Sequence, residues 1–231
     1  MSDNVLIFGA SGALGSAIAT HLSREHYLVF TAGSSAHATS TQHVPLSYQD
    51  PLDPSPFDSL PTLQAVVWAQ GLNCTDTVSN FVASELQRIL QGNVLFIAAT
   101  LQSLLTSAKL APSCRLVIVS SIWQLESRPG KFSYTISKAA LQGLVKSCAL
   151  DLGSRGILIN AVLPGVVDTP MTRTHLSEAQ IASITSQSAL QRLPQPEDIA
   201  SAVAFLASPL NRSITGQFLS VDGGFIGLKH A

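Results

Sequence analysis

The sequence has little charge of either sign. Charged residues make up 12% of its 231 positions, the formal net charge is −1, and lysine and arginine form no run. A nucleic-acid partner would require a basic surface to neutralise phosphates, so we expect none. Apolar residues reach 46%, which suits a protein that buries some of its surface between subunits.

Cysteine is scarce as well. Cys74, Cys114 and Cys148 are odd in number, widely spaced and without the paired spacing of a zinc site or a disulfide framework. We therefore expect buried, reduced thiols and no metal centre. The first residues lack a cationic, apolar leader, and no apolar run approaches membrane-spanning length. These features predict a cytoplasmic protein without a membrane partner.

Short apolar runs alternate with longer helical patterns along the chain. The runs lie at 5–8, 28–32, 65–69, 116–119, 158–162 and 218–221, with a further short strand at 44–46. Continuous apolar runs are typical of strands buried on both faces, and their alternation with helices indicates a parallel sheet. We predict a single α/β domain over residues 1–231, a Rossmann-type doubly wound parallel sheet with helices on both faces. Residues 171–196 interrupt the alternation and are predicted to form a helical cover over the site.

Glycines cluster between the first predicted strand and the first predicted helix, at Gly9, Gly12 and Gly15. A backbone without side chains can approach a pyrophosphate closely, and the helix start directs free N–H groups at the negative charge. The same spacing also suits a small-residue turn that only packs a helix on a sheet. The motif alone leaves both interpretations open.

Tyr134 and Lys138 lie four residues apart and share one face if the segment is helical. A phenol titrates near pH 10 in water, so it exchanges protons at neutral pH only where a fixed cation favours the phenolate. Lys138 can supply that cation. Taken alone, the pair could equally be two surface residues without a role.

In order and separation, the glycine turn, Tyr134 and Lys138 resemble the single-domain short-chain dehydrogenase/reductase family. The segments 192–200 and 215–224 resemble its 3-oxoacyl-carrier-protein reductase branch most. Ser121, thirteen residues before Tyr134, matches the family's substrate-orienting serine, and Asn93 matches its helix asparagine. The resemblance implies that Asn93, Ser121, Tyr134 and Lys138 are the catalytic residues.

The resemblance also implies a set of cofactor contacts. They run from the glycine turn through the ends of the strands to the segment that would hold the nicotinamide carboxamide: Gly9, Ser11, Gly12, Leu14, Gly15, Ser34, Ser35, Ser47, Ala69, Gly71, Tyr134, Lys138, Pro164, Val167 and Thr169. An acidic residue that would exclude a 2′-phosphate is missing after the second strand, where 31–35 offers hydroxyl and N–H groups. We therefore expect NADP rather than NAD.

Several positions depart from the family pattern. Phe8 stands where threonine is usual, Ala13 replaces the middle glycine, and Ser47 replaces an aspartate that commonly contacts adenine. The segment 68–71 reads Trp-Ala-Gln-Gly in place of Asn-Asn-Ala-Gly, and the tract 50–63 is shortened, with its usual helix reduced or missing. We expect the adenosine end of the site to differ most from its relatives.

The function that the resemblance implies is an NAD(P)-dependent oxidoreductase that interconverts a ketone and a secondary alcohol. Tyr134 would give or take the proton, Ser121 would hold the oxygen, and Asn93 would position Lys138 through a water chain. Segments 124–132 and 171–191 would shape a partly apolar substrate pocket with Trp123, Leu125, Phe132 and Met171. The chain would form a homotetramer or homodimer through its long central helices and its C-terminal strand.

A non-catalytic dinucleotide-binding sensor is the alternative, motivated by the altered glycine turn and the altered segment 68–71.

Overall fold

The structure, a computed structural model, describes residues 3–49 and 55–227. The predicted apolar runs form its strands, which are β1 Asn4–Phe8, β2 Leu28–Gly33, β3 Gln42–Pro45, β4 Leu63–Trp68, β5 Leu110–Val119, β6 Leu158–Pro164 and β7 Phe218–Val221. Over the described residues they make one seven-stranded sheet in the order β3-β2-β1-β4-β5-β6-β7. Each neighbouring pair is parallel.

Helices cover both faces of the sheet. They are α1 Ala13–Arg24, α2 Ala83–Leu90, α3 Phe96–Thr106, α4 Phe132–Gly153, α5 Pro170–His175, α6 Glu178–Gln187 and α7 Pro196–Ala207. A π-helical turn, Gln91–Leu95, joins α2 to α3, and a 3₁₀ turn, Ile122–Gln124, follows β5.

Successive side chains of a strand belong alternately to two hydrophobic cores, one on each face of the sheet. Val5 and Ile7 of β1 join a buried cluster with Ile18 of α1 and Val203 of α7. Leu6 and Phe8 join the opposite cluster, which includes residues of α3 and α4. Because successive strand side chains point to opposite faces, a run that is apolar throughout is what a sheet covered on both sides requires. The predicted doubly wound α/β fold is confirmed.

Two irregular segments agree with the pattern of the sequence. Of the shortened tract 50–63, the described part contains a single 3₁₀ turn at Ser55–Phe57, and residues 50–54 lie outside the described residues. Residues 171–196 are helical over α5 and α6. Their role as a cover over the site stays a prediction.

One expectation about apolar length was wrong. The helical segment Ala83–Thr106 is long and apolar enough to cross a membrane, with a mean hydropathy of 1.4 over its best window. Half of that window is buried inside the protein. Core helices of soluble proteins pass the same test, so this one segment is weak evidence for a membrane span.

The cysteines are less uniformly buried than the sequence suggested. Cys114 is fully buried, whereas Cys74 and Cys148 are partly accessible, and all three are free thiols. Burial raises the pKa of the Cys114 thiol to about 12, which keeps it protonated and unreactive at neutral pH.

Candidate active site

The carboxyl ends of the parallel strands meet at one edge of the sheet, where a cavity of about 720 Å³ opens. Its wall includes residues from the ends of β1, β2, β4, β5 and β6. Ligands of open parallel sheets bind in the crevice at this edge, close to where the strand order reverses. In this chain the order reverses at β1, beside the glycine turn.

The glycine turn brings bare backbone to the cavity. Gly9 has a φ of +76°, a conformation that favours glycine, and a Cβ added there would lie 2.7 Å from the Gln70 backbone nitrogen. A Cβ at Gly15 would overlap the Gly9 carbonyl, so Gly15 sets the packing of α1 on the turn. No side chain caps the start of α1 at Gly12. The first N–H groups of this helix therefore suit a phosphate, and the cradle fits the pyrophosphate of a dinucleotide.

The hydroxyls after β2 have different surroundings from those expected. Thr31 is fully buried and its Oγ1 lies 2.9 Å from both Ser40 Oγ and His43 Nδ1, so this hydroxyl is used inside the protein. Ser34 lines the cavity, whereas Ser35 is exposed and outside its wall. His37, which sequence reasoning passed over, bonds Ser16 of α1 at 2.9 Å and braces the loop after β2.

Tyr134 and Lys138 line the cavity together from the first turns of α4. Their four-residue spacing on this helix places the Lys138 Nζ 5.7 Å from the centroid of the Tyr134 ring. The Lys138 ammonium is buried and donates to the Val119 carbonyl oxygen at the end of β5, at 3.4 Å. Ser121, just beyond the same strand, is hydrogen-bonded to the Tyr134 side chain. The structure thus brings Ser121, Tyr134 and Lys138 together as the sequence predicted.

Burial controls the protonation of both groups in the ligand-free protein. Burial raises the pKa of Tyr134 to about 12, and the hydrogen bond from Ser121 opposes part of that rise. Burial lowers the pKa of Lys138 to about 8. In the ligand-free protein the pKa of Tyr134 is therefore raised by desolvation of the phenol, whereas the sequence predicted that Lys138 would lower it. At neutral pH Tyr134 holds its proton and Lys138 is predominantly charged.

Asn93 is fully buried in the π-helical turn and is not part of the cavity wall. Its Oδ1 accepts from the Leu72 N–H at 2.7 Å, and its Nδ2 donates to the Leu72 carbonyl at 2.9 Å and to Ser137 Oγ at 3.0 Å. It therefore joins the loop after β4 to α4. A Cβ added at Gly71 would lie 3.4 Å from Lys138 Nζ and 3.7 Å from Asn93 Oδ1, which places both groups beside that loop.

The unusual residues at the ends of β1 and β4 fill the space between them. Phe8 and Trp68 stack at 5.6 Å, and Phe57 and Phe96 meet Phe8 edge-on at 6.0 and 5.8 Å. The Trp68 indole N–H donates to Thr100 Oγ1 at 2.9 Å. An aromatic cluster therefore braces the sheet where polar side chains do so in the family pattern.

Gln70 lines the cavity and was not among the predicted contacts. Its Oε1 and Nε2 are buried and lack a hydrogen-bond partner within the described residues. Buried amides are nearly always paired, so an unpaired one on a cavity wall indicates a ligand contact. The signal in the sequence was the glutamine itself, which stands where the family has alanine.

Most of the predicted cofactor contacts line the cavity. The cavity wall includes all of them except Gly15 and Ser35, namely Gly9, Ser11, Gly12, Leu14, Ser34, Ser47, Ala69, Gly71, Tyr134, Lys138, Pro164, Val167 and Thr169. Thr169 also caps α5, accepting the Thr172 N–H at 3.2 Å. Contact of these residues with a cofactor stays a prediction.

On the substrate side, two expected residues lie elsewhere. Leu125 is 49% exposed and Phe132 packs against Phe81 at 5.0 Å, and neither belongs to the cavity wall. Trp123 and Met171 do line it. A second cavity of about 470 Å³ adjoins the first and shares Trp123, Arg128 and Val166 with it.

A helix start suited to an anion and a tyrosine beside a buried lysine, at one edge of one sheet, are the parts that a dinucleotide-dependent oxidoreductase requires. Comparison with known proteins supports that class. A family model described as "Enoyl-(Acyl carrier protein) reductase" matches residues 58–226. The chain belongs to the short-chain dehydrogenase/reductase family of oxidoreductases.

Individual relatives are similar to different extents. The "Uncharacterized oxidoreductase YmfI" of Bacillus subtilis is 30% identical over 241 residues, covering 97% of this chain and 99% of the relative. The "3-oxoacyl-[acyl-carrier-protein] reductase FabG" of Rickettsia bellii is 43% identical over 112 residues, which is 48% of this chain and 46% of that protein. The match to FabG thus spans about half of either chain.

Solved structures share the fold over nearly the whole chain. A short chain dehydrogenase family protein from Francisella tularensis has a TM-score of 0.89 at 22% identity, covering 99% of this chain and 100% of the other, and shows the fold alone. The structure of ElxO with NADP bound has a TM-score of 0.86 at 26% identity, with the same coverage of 99% and 100%.

Proposed function

We propose that this protein is an NADP-dependent oxidoreductase that interconverts a ketone and a secondary alcohol, with Tyr134 as the proton donor and acceptor. The observation that carries the proposal is the group of Ser121, Tyr134 and Lys138 in one cavity with the glycine turn, with Ser121 and Lys138 buried and Tyr134 partly buried. General acid–base groups must lie within reach of the atom they protonate, and this cavity leaves room for a carbonyl beside the Tyr134 hydroxyl.

In the direction of reduction, Tyr134 donates its proton to the carbonyl oxygen while Ser121 holds that oxygen by a hydrogen bond. Because the pKa of Tyr134 is raised, the phenol is protonated at neutral pH and can donate to the carbonyl oxygen. The charge of Lys138, four residues along the same helix, then stabilises the phenolate that remains. NADPH held by the glycine turn, Tyr134 and Lys138 would supply the hydride that the carbonyl carbon requires.

The cofactor preference rests on the charge of the cavity wall. An acidic side chain after β2 would repel a 2′-phosphate, and the described wall carries none at any point. Gly33 and Ser34 present backbone and hydroxyl groups there instead. The similar ElxO structure contains NADP. These features favour NADP over NAD.

We also propose self-association through α3, α4 and the region of β7. Apolar side chains are exposed on these elements: Leu95, before α3, is 54% exposed, Leu150 of α4 83%, and Leu219 of β7 42%. Large exposed apolar residues grouped on packed elements are typical of subunit interfaces.

A ketone and alcohol panel assayed with both cofactors tests the proposed function. Reduction should be faster with NADPH than with NADH, and deuterium at C4 of the cofactor should appear at the carbinol carbon of the product. A stronger response to NADH would reverse the cofactor assignment. The sensor alternative, motivated by the altered glycine turn and the altered segment 68–71, predicts saturable NADPH binding without turnover of any panel member.

A further inference from the structure

The cavity that holds Tyr134 has a strongly one-sided charge. Its described wall contains Arg128, Lys131, Lys138 and His175 and no aspartate or glutamate. The whole chain is close to neutral, with 13 basic residues against 14 acidic ones. A wall with three cationic side chains, Arg128, Lys131 and Lys138, and no carboxylate favours an anionic ligand in a protein that is close to neutral.

Arg128 is the cation least used by the protein itself. Its Nε is buried without a hydrogen-bond partner among the described residues. The guanidinium lies 5.4 Å from the centre of the Trp123 ring, and Trp123 in turn packs edge-on against Phe225 at 6.4 Å. The indole beside the guanidinium restricts where this side chain can lie, and its unpaired Nε–H can contribute to the fork of N–H donors that binds a carboxylate or phosphate.

Lys131 supplies a second cation next to the reacting centre. Its Nζ lies 5.3 Å from the centroid of the Tyr134 ring and donates to Asn73 Oδ1 at 2.8 Å. The side chain is only 8% exposed, and a backbone bridge to Asp76 fixes its position. Three donors on the ammonium leave capacity for a further acceptor after Asn73.

Acidic side chains near these cations have other partners or positions. The Asp76 carboxylate accepts from the N–H and the hydroxyl of Ser133. Glu126 lines only the second cavity. The four ion pairs among the described residues include neither Arg128 nor Lys131. Burial and the nearby Arg128 both lower the pKa of Lys131, and Cys74 and Asp76 oppose only part of that lowering.

The phosphates of the cofactor are a poor explanation for Arg128. The glycine turn supplies their cradle, and Arg128 borders the second cavity, which contains no residue of that turn. The second cavity also contains the apolar side chains of Ile184, Phe225 and Ile226. Arg128 therefore lies where the part of a substrate beyond its carbonyl would pass.

We propose that the natural substrate carries a carboxylate or phosphate, which Arg128 binds from its position on Trp123 with Lys131 as the second cation. The inference rests on the proposed function, because it concerns the ketone or alcohol reduced beside Tyr134. Arg128 and Lys131 are specificity-determining residues in this account. An anionic group held there orients the carbonyl towards Ser121 and Tyr134.

The test uses pairs of probes that differ in charge: acetoacetate and its ethyl ester, levulinate and its methyl ester, and dihydroxyacetone phosphate and dihydroxyacetone. Binding to the complex with NADP⁺, which cannot reduce a ketone, is measured by calorimetry, and kcat/KM with NADPH is measured separately. We expect the charged member of at least one pair to bind about 10- to 100-fold more tightly, as a charge-assisted hydrogen bond provides. Whether the carboxylate or the phosphate pair shows the larger ratio identifies the anion.

The variants Arg128→Gln and Lys131→Met should remove most of that preference and leave binding of the neutral member within about twofold. Arg24→Gln, an exposed arginine outside both cavities, is the matched control and should retain the preference. Melting temperatures establish that each variant is folded, and Arg128→Lys, which keeps the charge but not the fork, should recover part of the effect.

Three results would overturn the inference: tighter binding of the neutral members, a charge preference that survives Arg128→Gln, or an equal loss of NADPH affinity in that variant. The proposed function fails separately, if charged probes bind in an Arg128-dependent manner and no probe is turned over.

Discussion

The ammonium of Lys138 is buried, and its burial destabilises the folded protein. The residue is 3% exposed, and the hydrogen bond from its ammonium to the Val119 carbonyl is long at 3.4 Å. A lysine whose folded pKa lies below its unfolded value binds fewer protons when folded. The contribution of Lys138 should therefore increase the free energy of unfolding as the pH rises from about 8 to 10.5.

Lys138→Met should accordingly abolish turnover while raising the free energy of unfolding at pH 7 by about 2 kcal/mol, because it removes the desolvated charge. The advantage over wild type should shrink above pH 8, where wild-type Lys138 loses its proton. Denaturant unfolding at pH 7 and pH 10 measures both values. Lys146→Met, an exposed lysine of the same helix, should change stability by less than about 0.5 kcal/mol. A Lys138→Met variant less stable than wild type at pH 7 would contradict this account of burial.

The side-chain amide of Gln70 is buried on the cavity wall without a hydrogen-bond partner among the described residues. Its unpaired amide costs the ligand-free protein on the order of 1–3 kcal/mol if no solvent reaches it. Gln70→Ala, which restores the usual family residue, should raise the melting temperature of the free protein and reduce the further rise produced by NADPH. Scanning calorimetry with and without NADPH measures both changes. An unchanged response to NADPH would mean that the amide does not contact the cofactor.

Among the secondary-structure elements, the π-helical turn between α2 and α3 determines the position of the Asn93 side chain. The wider turn directs Asn93 at both backbone groups of Leu72 and at Ser137 of α4. It thereby fixes the loop after β4, which contains Gly71, against the helix that carries Tyr134 and Lys138. π-helical turns inside α-helices are frequent at functional sites for this reason.

Asn93→Ala should lower the free energy of unfolding by about 2–3 kcal/mol, since three buried hydrogen bonds are lost, and should also lower kcat. Asn211 is the matched control because it is 1% exposed and makes three comparable bonds far from the cavity, to Leu206 and Ile214. Asn211→Ala should cost similar stability and spare kcat at a temperature where both variants are folded. Equal kcat for the two variants would assign Asn93 a purely structural role.

The elements themselves could be predicted from local sequence because hydrophobic runs and glycine positions are local signals. Every strand was predicted, including short β3. Contacts between distant segments could not be predicted in this way. The stack of Phe8 on Trp68, the bond between His37 and Ser16, and the free guanidinium of Arg128 each depend on which side chains the fold places together.

At the scale of the whole molecule, the sparse charge and the exposed apolar side chains point to association. Leu150→Glu places a charge on the face of α4 and should shift the assembly towards monomers, measured by light scattering after gel filtration. Val78→Glu, at a residue 71% exposed outside the proposed faces, is the control and should leave the mass unchanged. A wild-type protein that is monomeric at micromolar concentration would contradict the proposal.

The proposed catalytic residues could be chosen from the sequence because Ser121, Tyr134 and Lys138 have the order and spacing of the family pattern. Their protonation could not be predicted, because it depends on burial. The sequence indicated a phenol made acidic by Lys138, whereas desolvation leaves the free protein with a Tyr134 pKa of about 12. The positive charge of the cavity wall could not be predicted from the sequence either, because only the fold brings Arg128 and Lys131 to the cavity.

Single-turnover reduction by Tyr134→Phe, with NADPH bound and a carbonyl compound that wild type reduces, tests whether Tyr134 is the proton donor. Removing one hydroxyl spares the aromatic packing, and general acid catalysis contributes about 10²–10⁴-fold, so the rate of NADPH oxidation should fall by that factor. The melting temperature and NADPH affinity should stay close to wild type. A variant that retains most of the wild-type rate would show that Tyr134 is not the proton donor.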